Sequence, residues 1–255
     1  NVPADIAFFQ KKYNTAYTGA GYAGYIAYGR EKQPIAFYGV IPCFVEYQGN
    51  KILAAQSADT MTHPGHRFKG MFVELSTMTF ALCKELGIHL VFGFPNQNSY
   101  HGAVNKLGWK MTEEMACFKI PLRSSFPVRV LKRVTFLAGV YNIFRKKILA
   151  GKLLNQPGVK NSALCDGYGG ILRDERFLLY KRYSPSYVIR IGDAKIWFSS
   201  KNESLIGDME GVTAVNIDAV MQELRKIKGK LGVRELQFHC SPGTTLYQLF
   251  AKRYA

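Results

Sequence analysis

A short basic segment holds the residues whose types and spacing suggest chemistry. Arg67-Phe68-Lys69-Gly70 separates a predicted strand, Gln56–Thr62, from a predicted helix. The first N–H groups of a helix have no partner within it, and the helix dipole places partial positive charge there. Gly70 lets a ligand approach the backbone closely, while Arg67 and Lys69 add charge. The segment therefore predicts a pyrophosphate site, although an isolated Arg-x-x-Gly is better explained by an ordinary strand-to-helix connection with solvated cations.

The elements around this segment form a predicted strand–helix–strand unit. Apolar residues recur at helical spacing from about Met71 to Leu86, and Gly87 ends the helix as a C-terminal glycine cap. Ile88–Phe94 is then a short apolar strand closed by Pro95 and Asn96. The predicted apolar face of the helix comprises Phe72, Leu75, Met78 or Thr79, Leu82 and Leu86.

Antiparallel strands precede this unit. Gly24–Tyr28 and Ile35–Tyr47 have strand patterns, and the turn Gln48–Lys51 predicts a hairpin into the next strand. Pro42 indicates a bulge or a sheet edge, because proline has no N–H to donate. A helix is predicted before these strands, at Phe8–Tyr13.

The whole block resembles the GNAT superfamily of acyl-CoA-dependent N-acyltransferases. Their pyrophosphate loop has Arg or Gln, two residues, Gly, one residue and a final Gly or Ala; here it is Arg67-Phe68-Lys69-Gly70-Met71-Phe72. Lys106-Leu107-Gly108-Trp109 is similar to the family's closing Lys-Leu-Gly-Phe. Phe72 replaces the small residue, and Phe68 stands where many members have Gly. Both departures leave the backbone contacts to pyrophosphate intact if the two side chains point away.

The resemblance implies an α/β fold, with a mixed and mostly antiparallel sheet flanked by helices. It implies acetyl-CoA or another acyl-CoA as cofactor and an amine-bearing small molecule or peptide as acceptor. Backbone N–H groups of Asp59–Thr62, including Met61 and Thr62, would polarise the thioester carbonyl. Residues 67–72 would bind the pyrophosphate, and Asn96 would hydrogen-bond the pantetheine.

Acylation of an amine also needs a base for the amine and an acid for the leaving thiolate. Asp59 is the candidate base, directly or through water, and a bracing role for it is an equal alternative. The family's usual acid, a tyrosine, is replaced here by Val104. Tyr100, one helical turn earlier, is the remaining candidate acid.

Two other function classes stay open. One is an aminoacyl-tRNA-dependent transferase, built from two such domains, although the Arg67–Phe72 loop fits that family less well. The other is a catalytically inactive binding protein that keeps the fold.

Composition limits the partners and the compartment. The chain has 34 Lys and Arg against 18 Asp and Glu, a net charge of +16, which implies anionic partners. Its five cysteines are far apart, without zinc-site or disulfide-scaffold spacing, so free thiols in a reducing cytoplasm and no metal site are expected. No apolar run is long enough to span a bilayer. The expected location is cytoplasmic, with peripheral binding at the inner face of the membrane as an option.

The most basic part of the chain lies between Ala116 and Cys165, which contains no Asp or Glu. Val128–Leu154 is predicted as one amphipathic helix or as two broken near Gly139. This segment is either a packed bridge with a solvated basic face or a docking surface for anionic lipid or an acyl carrier protein. Nucleic acid is a less favoured partner. The cations are Lys119, Arg123, Arg129, Lys132, Arg133, Arg145, Lys146, Lys147, Lys152 and Lys160.

The last third of the chain repeats the first. Lys11–Tyr17 matches Lys181–Tyr187 at an offset of 170, and Leu86–Ile88 matches Leu231–Val233 at an offset of 145. No Arg-x-x-Gly follows the corresponding strand, Ser204–Met209. The repeat predicts tandem domains: a GNAT-like acyl-CoA-binding domain at 1–122, a basic helical linker at 123–162, and a degenerate GNAT-like domain at 163–255 that does not bind acyl-CoA.

Overall fold

The computed structural model describes residues 5–133, 135–155, 158–184, 186–199 and 203–254. The chain forms two compact units. Residues up to Thr112 together with Gly169–Tyr183 make the first, and Glu113–Tyr168 with the chain from Ser184 onwards makes the second. In the described residues, no helix is long and apolar enough to cross a membrane.

The helices and strands follow one another in this order: α1 Ile6–Tyr13, β1 Gly24–Tyr28, β2 Pro34–Tyr47, β3 Asn50–Thr62, α2 Met71–Glu85, β4 Leu90–Phe92, α3 Gln97–Leu107, β5 Ala116–Pro121, α4 Phe126–Arg133, α5 Ala138–Leu149, β6 Leu153–Leu154, α6 Ser162–Cys165, β7 Gly170–Ile171, α7 Glu175–Tyr180, β8 Ser186–Ile191, β9 Ala194–Ser199, β10 Leu205–Glu210, α8 Ile217–Lys230, β11 Glu235–Cys240 and α9 Thr245–Tyr254.

The sheet of the first unit has the order β1-β2-β3-β4, and β7 pairs with the end of β2. β1, β2 and β3 are antiparallel neighbours, while β4 runs parallel to β3. Gln48 and Gly49 make the predicted hairpin turn with φ angles of 49° and 74°. Two successive left-handed residues match the twist of the strands that they join.

Pro42 lies where β2 has a strand partner on one side. It pairs with Ala55 of β3, whereas on the opposite side β1 ends its pairing at Gly39 and β7 begins at Val45. β2 is therefore a local sheet edge at Pro42, as predicted. On that side the absent proline N–H interrupts no pairing between strands.

α2 packs its predicted face onto this sheet. Leu75 and Thr79 are buried, and Met78 is 42% exposed, so Thr79 occupies the core position. The Thr79 hydroxyl donates to the Leu75 carbonyl at 2.7 Å, which satisfies a buried polar group inside the helix. Phe72, Leu82 and Leu86 pack against the same core, which includes Ala55, Tyr38, Val40 and Cys83.

The second unit has a sheet of order β5-β11-β10-β9-β8-β6, with α8 and α9 supplying much of its core. β5 lies within the predicted first domain, 1–122, and pairs with β11 along all six of its residues. Its partner strand is more than a hundred residues away, and local sequence does not specify that pairing.

The region predicted as helical, Val128–Leu154, is occupied by α4 and α5. A short 3-10 turn at Thr135–Leu137 lies between them. The second of the two predicted forms is therefore present, with α5 beginning next to Gly139 at Ala138. The side chains of Arg129, Lys132 and Arg133 lie outside what the structure describes.

The two units share strand order and helix-end geometry. β8, β9 and β10 are antiparallel neighbours and β11 is parallel to β10, as for β1 to β4. Ile88 N–H bonds the Cys83 carbonyl after α2, and Val233 N–H bonds the Lys228 carbonyl after α8, both at the offset of 145 (233 − 88 and 228 − 83). Both units are therefore mixed sheets flanked by helices.

Candidate active site

β3 and β4 diverge after three residue pairs. Ala54, Ala55 and Gln56 pair with Leu90–Phe92, and β4 ends there while β3 continues to Thr62. β3 remains paired with β2 on its other side as far as Thr62. Within the described chain, the backbone groups of residues 57–62 that point away from β2 consequently have no strand partner. This free strand edge can bind an extended ligand through backbone hydrogen bonds.

The connection from β3 to α2 is sharply turned. His63 Nδ1 accepts the Gly65 N–H at 3.2 Å, which stabilises the first bend. Phe68 and Gly70 then adopt left-handed conformations with φ of 63° and 82°. A left-handed phenylalanine is uncommon, because its Cβ crowds the neighbouring carbonyl.

Gly70 caps α2, and space lies open in front of it. No described side chain caps this helix, and a Cβ built on Gly70 would meet nothing within 4 Å. The first-turn N–H groups of α2 therefore point toward a region that a ligand can enter. A 15-residue helix also contributes its dipole at this end.

The side chains of residues 67–72 differ in exposure: Arg67, Phe68 and Lys69 are exposed, whereas Phe72 packs into the core. Arg67 and Lys69 are exposed, and Arg67 Nε donates to the Thr62 carbonyl at 3.4 Å. Phe68 is fully exposed. The Phe72 ring packs edge-on against Tyr38, 6.0 Å between ring centroids, so its bulk is directed into the core.

Asp59 occupies a bulge in β3. Phe37 pairs with Met61 and Gly39 with Ala58, so Asp59 and Thr60 together face Tyr38. Asp59 has a left-handed φ of 51°, which turns its side chain toward α1. A sequence that reads as a regular strand gives no sign of this bulge.

Two residues of α1 hold the Asp59 carboxylate. Oδ2 accepts hydrogen bonds from Lys12 Nζ at 2.5 Å and from the Tyr13 hydroxyl at 3.0 Å. Burial, followed by the negative charge of Asp59, raises the pKa of Tyr13, so its hydroxyl stays protonated. Oδ1 makes no hydrogen bond with a described residue and remains available to a ligand or water. Sequence reasoning missed both partners, although the repeat had marked Lys11–Tyr17 as notable.

A cavity of about 210 Å³ adjoins Lys12 on this face of the sheet. Burial raises the pKa of the Cys43 thiol to about 11, with the charge of Lys181 acting in the opposite direction, so Cys43 is not a thiolate at neutral pH. The lining includes Lys12, Cys43, Gln56, Phe177, Tyr180 and Lys181.

Asn96 and Tyr100 lie in the first turns of α3. Asn96 Oδ1 accepts the N–H groups of Asn98 and Ser99, and the Ser99 hydroxyl accepts the Asn96 N–H, which together form a capping box. The oxygen of Asn96 is thus used by the helix, and its amide nitrogen remains for a ligand. The Tyr100 hydroxyl donates to Met111 Sδ at 3.3 Å.

The strand order places most of the predicted site residues at one end of the sheet. β3 and β4 are parallel, so their carboxyl ends share an edge. Asp59, Met61 and Thr62 lie at the end of β3, followed by residues 67–72, and α3 follows β4. Ligands bind at this edge in many α/β proteins.

The chain is similar to known proteins in sequence and in fold. Residues 17–112 match the family model described as an acetyltransferase (GNAT) domain. A GCN5-related N-acetyltransferase from Kribbella flavida is similar over 85% of this chain and 53% of its own, with TM-score 0.52 and 11% identity. Another, from Anabaena variabilis, is similar over 89% of this chain and 57% of its own, with TM-score 0.49 and 15% identity. No curated protein sequence gives a significant match.

The chain spans slightly more than half the length of these two structures. The likeness to the Kribbella protein shows the fold, and the match to the family model covers the diverging strands β3 and β4, the loop at residues 67–70 and α2. Residues 17–112 of this chain are therefore similar in sequence to a GNAT acetyltransferase domain, and the chain has the fold of the Kribbella protein.

Proposed function

We propose that the first unit is an acyl-CoA-dependent N-acyltransferase, most simply an acetyltransferase. The observation that carries this proposal is the free edge of β3, residues 57–62, followed after a short loop by the N-terminus of α2 at Gly70, which no described side chain caps. An extended pantetheine and a pyrophosphate are joined in that order in CoA, so one molecule satisfies both features.

The residues fit this cofactor in three places. Backbone N–H groups at the start of α2, with Arg67 and Lys69, would hold the pyrophosphate. The backbone of Asp59–Thr62 would orient the thioester and polarise its carbonyl. The amide nitrogen of Asn96 would bond the pantetheine. The bound acyl-CoA supplies the activated acyl group.

Asp59 is the proposed base on the acceptor side. Its Oδ1 is available to accept a proton from the amine, directly or through water, while Lys12 and Tyr13 hold Oδ2 in place. The cavity beside Lys12 is the proposed entry for the amine, because Gln56 and Ala58 of β3 contribute to its lining. Tyr100 is the proposed acid for the leaving thiolate.

The second unit is proposed to be a degenerate copy without cofactor binding. Its β10–α8 connection is closed by Asn216, whose amide donates to the Gly211 carbonyl and accepts the Thr213 N–H, both at 2.8 Å. Those bonds lie within the loop before α8, and no described side chain caps that helix either. The connection also contains no Arg or Lys.

The test is titration of the whole chain with acetyl-CoA, combined with hydrogen exchange at residues 67–72 and assay of thiol release with a panel of amines. Saturable binding, protection confined to the first unit and amine-dependent thiol release are expected. RNA binding without CoA binding would favour an aminoacyl-tRNA-dependent transferase instead. Absence of both would identify an inactive binding protein.

A further inference from the structure

The short turn before α5 and the helix itself expose a row of large apolar side chains. Phe136, Val140 and Ile143 are 84%, 54% and 72% exposed. They are spaced four and three residues apart, so they form one stripe along the helix. Isolated exposed apolar residues are ordinary, but an aligned set on one face marks an interaction surface.

The opposite face of α5 already anchors it to the second unit. Tyr141 and Leu149 are buried, and Ile148 packs against the core. Arg145 Nη1 bonds the buried Glu203 carboxylate at 3.0 Å, and the Tyr141 hydroxyl donates to the same carboxylate. The stripe is therefore not needed for packing within this unit.

Positive charge borders the stripe. Lys147 continues the row one turn after Ile143, and Lys146 lies beside it; both are exposed. Neither forms an ion pair with any residue that the structure describes. No Asp or Glu occurs anywhere from Ala116 to Cys165, so nearby sequence offers no negative charge to offset them.

We propose that Phe136, Val140 and Ile143, with Lys146 and Lys147, dock this unit onto the surface of an anionic lipid bilayer. The apolar residues enter the region between headgroups and acyl chains, while the lysine stems lie along it and keep their ammonium groups at the phosphates. The exposed Lys146 and Lys147 beside the apolar row favour an anionic surface, and a bilayer accepts three apolar side chains aligned on one helix face. The proposal is independent of the acyltransferase reaction.

The experiment is co-sedimentation of the whole chain with vesicles of phosphatidylcholine alone or mixed with phosphatidylglycerol, at low and at moderate salt. Binding to the mixed vesicles that weakens with salt is expected. Replacing Phe136, Val140 and Ile143 by Ser should abolish it. Lys146→Gln with Lys147→Gln should weaken it roughly tenfold or more.

Two matched variants distinguish this stripe from the general charge of the protein. Lys226→Gln with Lys230→Gln makes the same charge change on exposed residues of α8, and Val215→Ser removes an exposed apolar residue elsewhere. Both should bind the vesicles like the parent, and unfolding curves should show every variant folded. No binding by the parent overturns the proposal, as does binding that survives the serine triple or falls equally in the lysine controls.

Discussion

Lys12 Nζ lies 2.5 Å from Asp59 Oδ2, joining α1 to the bulge in β3 across 47 positions of sequence. Both side chains are partly buried, at 17% and 33% exposure. The pair leaves Asp59 Oδ1 without a hydrogen bond to a described residue, so the contact is compatible both with a bracing role and with the proposed catalytic role. A comparison of variants at both positions separates the two roles.

The first prediction concerns this pair. Asp59→Asn and Lys12→Met should each lower the free energy of unfolding, with a coupling energy of about 0.5–1 kcal/mol in the double variant. If Asp59 is also the base, Asn at this position should reduce kcat while acyl-CoA affinity stays unchanged, and Lys12→Met should retain more activity. Denaturant unfolding and steady-state kinetics measure these quantities. Equal losses of stability and rate in both single variants would leave Asp59 a purely structural residue.

A second prediction uses Gly70, whose φ of 82° tolerates few other residues. Asn and Asp both adopt left-handed conformations and both are good helix N-caps, so the two variants should fold alike. Gly70→Asp should bind acetyl-CoA at least about fivefold more weakly than Gly70→Asn, because it places a negative charge against the pyrophosphate. Calorimetric titration gives the ratio; equal affinities would show that the cofactor binds elsewhere.

Tyr100 supplies the third prediction. Its hydroxyl is 3.3 Å from Met111 Sδ, and the residue is 43% exposed, so Tyr100→Phe should leave stability nearly unchanged. Loss of a general acid should lower kcat by about a hundredfold or more with little effect on acyl-CoA binding. An unchanged kcat would remove Tyr100 from the mechanism.

The fourth prediction is that the cations of α5 have different roles. Arg145→Gln should destabilise the protein by about 2 kcal/mol or more, since Glu203 is 4% exposed and Arg145 is its ion-pair partner. Lys146→Gln and Lys147→Gln should each change the free energy of unfolding by less than about 0.5 kcal/mol. Urea unfolding of the three variants compares them directly, and similar values for all three would contradict the distinction.

The cysteines give a fifth prediction. Burial raises the pKa of Cys43 and Cys83 to about 11 and that of Cys240 to about 12, whereas Cys117 and Cys165 are exposed. Only the exposed pair should react with a thiol reagent in the folded protein at pH 8, and all five should react in denaturant. As a control, the Cys117→Ala variant should have one fast-reacting thiol instead of two.

The same three buried thiols determine how the free energy of unfolding should change with pH. Their pKa values are raised above the ordinary 9.0, so the folded chain keeps these protons where the unfolded chain has lost them. Their contribution to stability is complete below pH 9 and is lost as pH rises through 11 to 12. Unfolding free energy should therefore decline above pH 9; a constant value up to pH 11 would contradict this.

The sequence alone determined much of the local structure of the first unit, although not the bulge at Asp59. The helix α2, its glycine end, the hairpin turn at Gln48–Gly49 and the loop before Gly70 were predicted correctly, because periodicity, capping and left-handed φ are properties of neighbouring residues. The repeat at offset 145 was visible for the same reason: both helices end in Leu-Gly followed by an apolar residue.

Tertiary structure alone decided which distant groups meet. Nothing near Asp59 in sequence indicates Lys12 as its partner, nothing near Arg145 indicates Glu203, and nothing in β5 indicates β11. An isolated charge or strand edge is compatible with many partners, and only the packing of the whole unit selects one. The three cations of α5 are therefore equivalent in the sequence. In the structure, Arg145 forms an ion pair with the buried Glu203, whereas Lys146 and Lys147 lie at the surface.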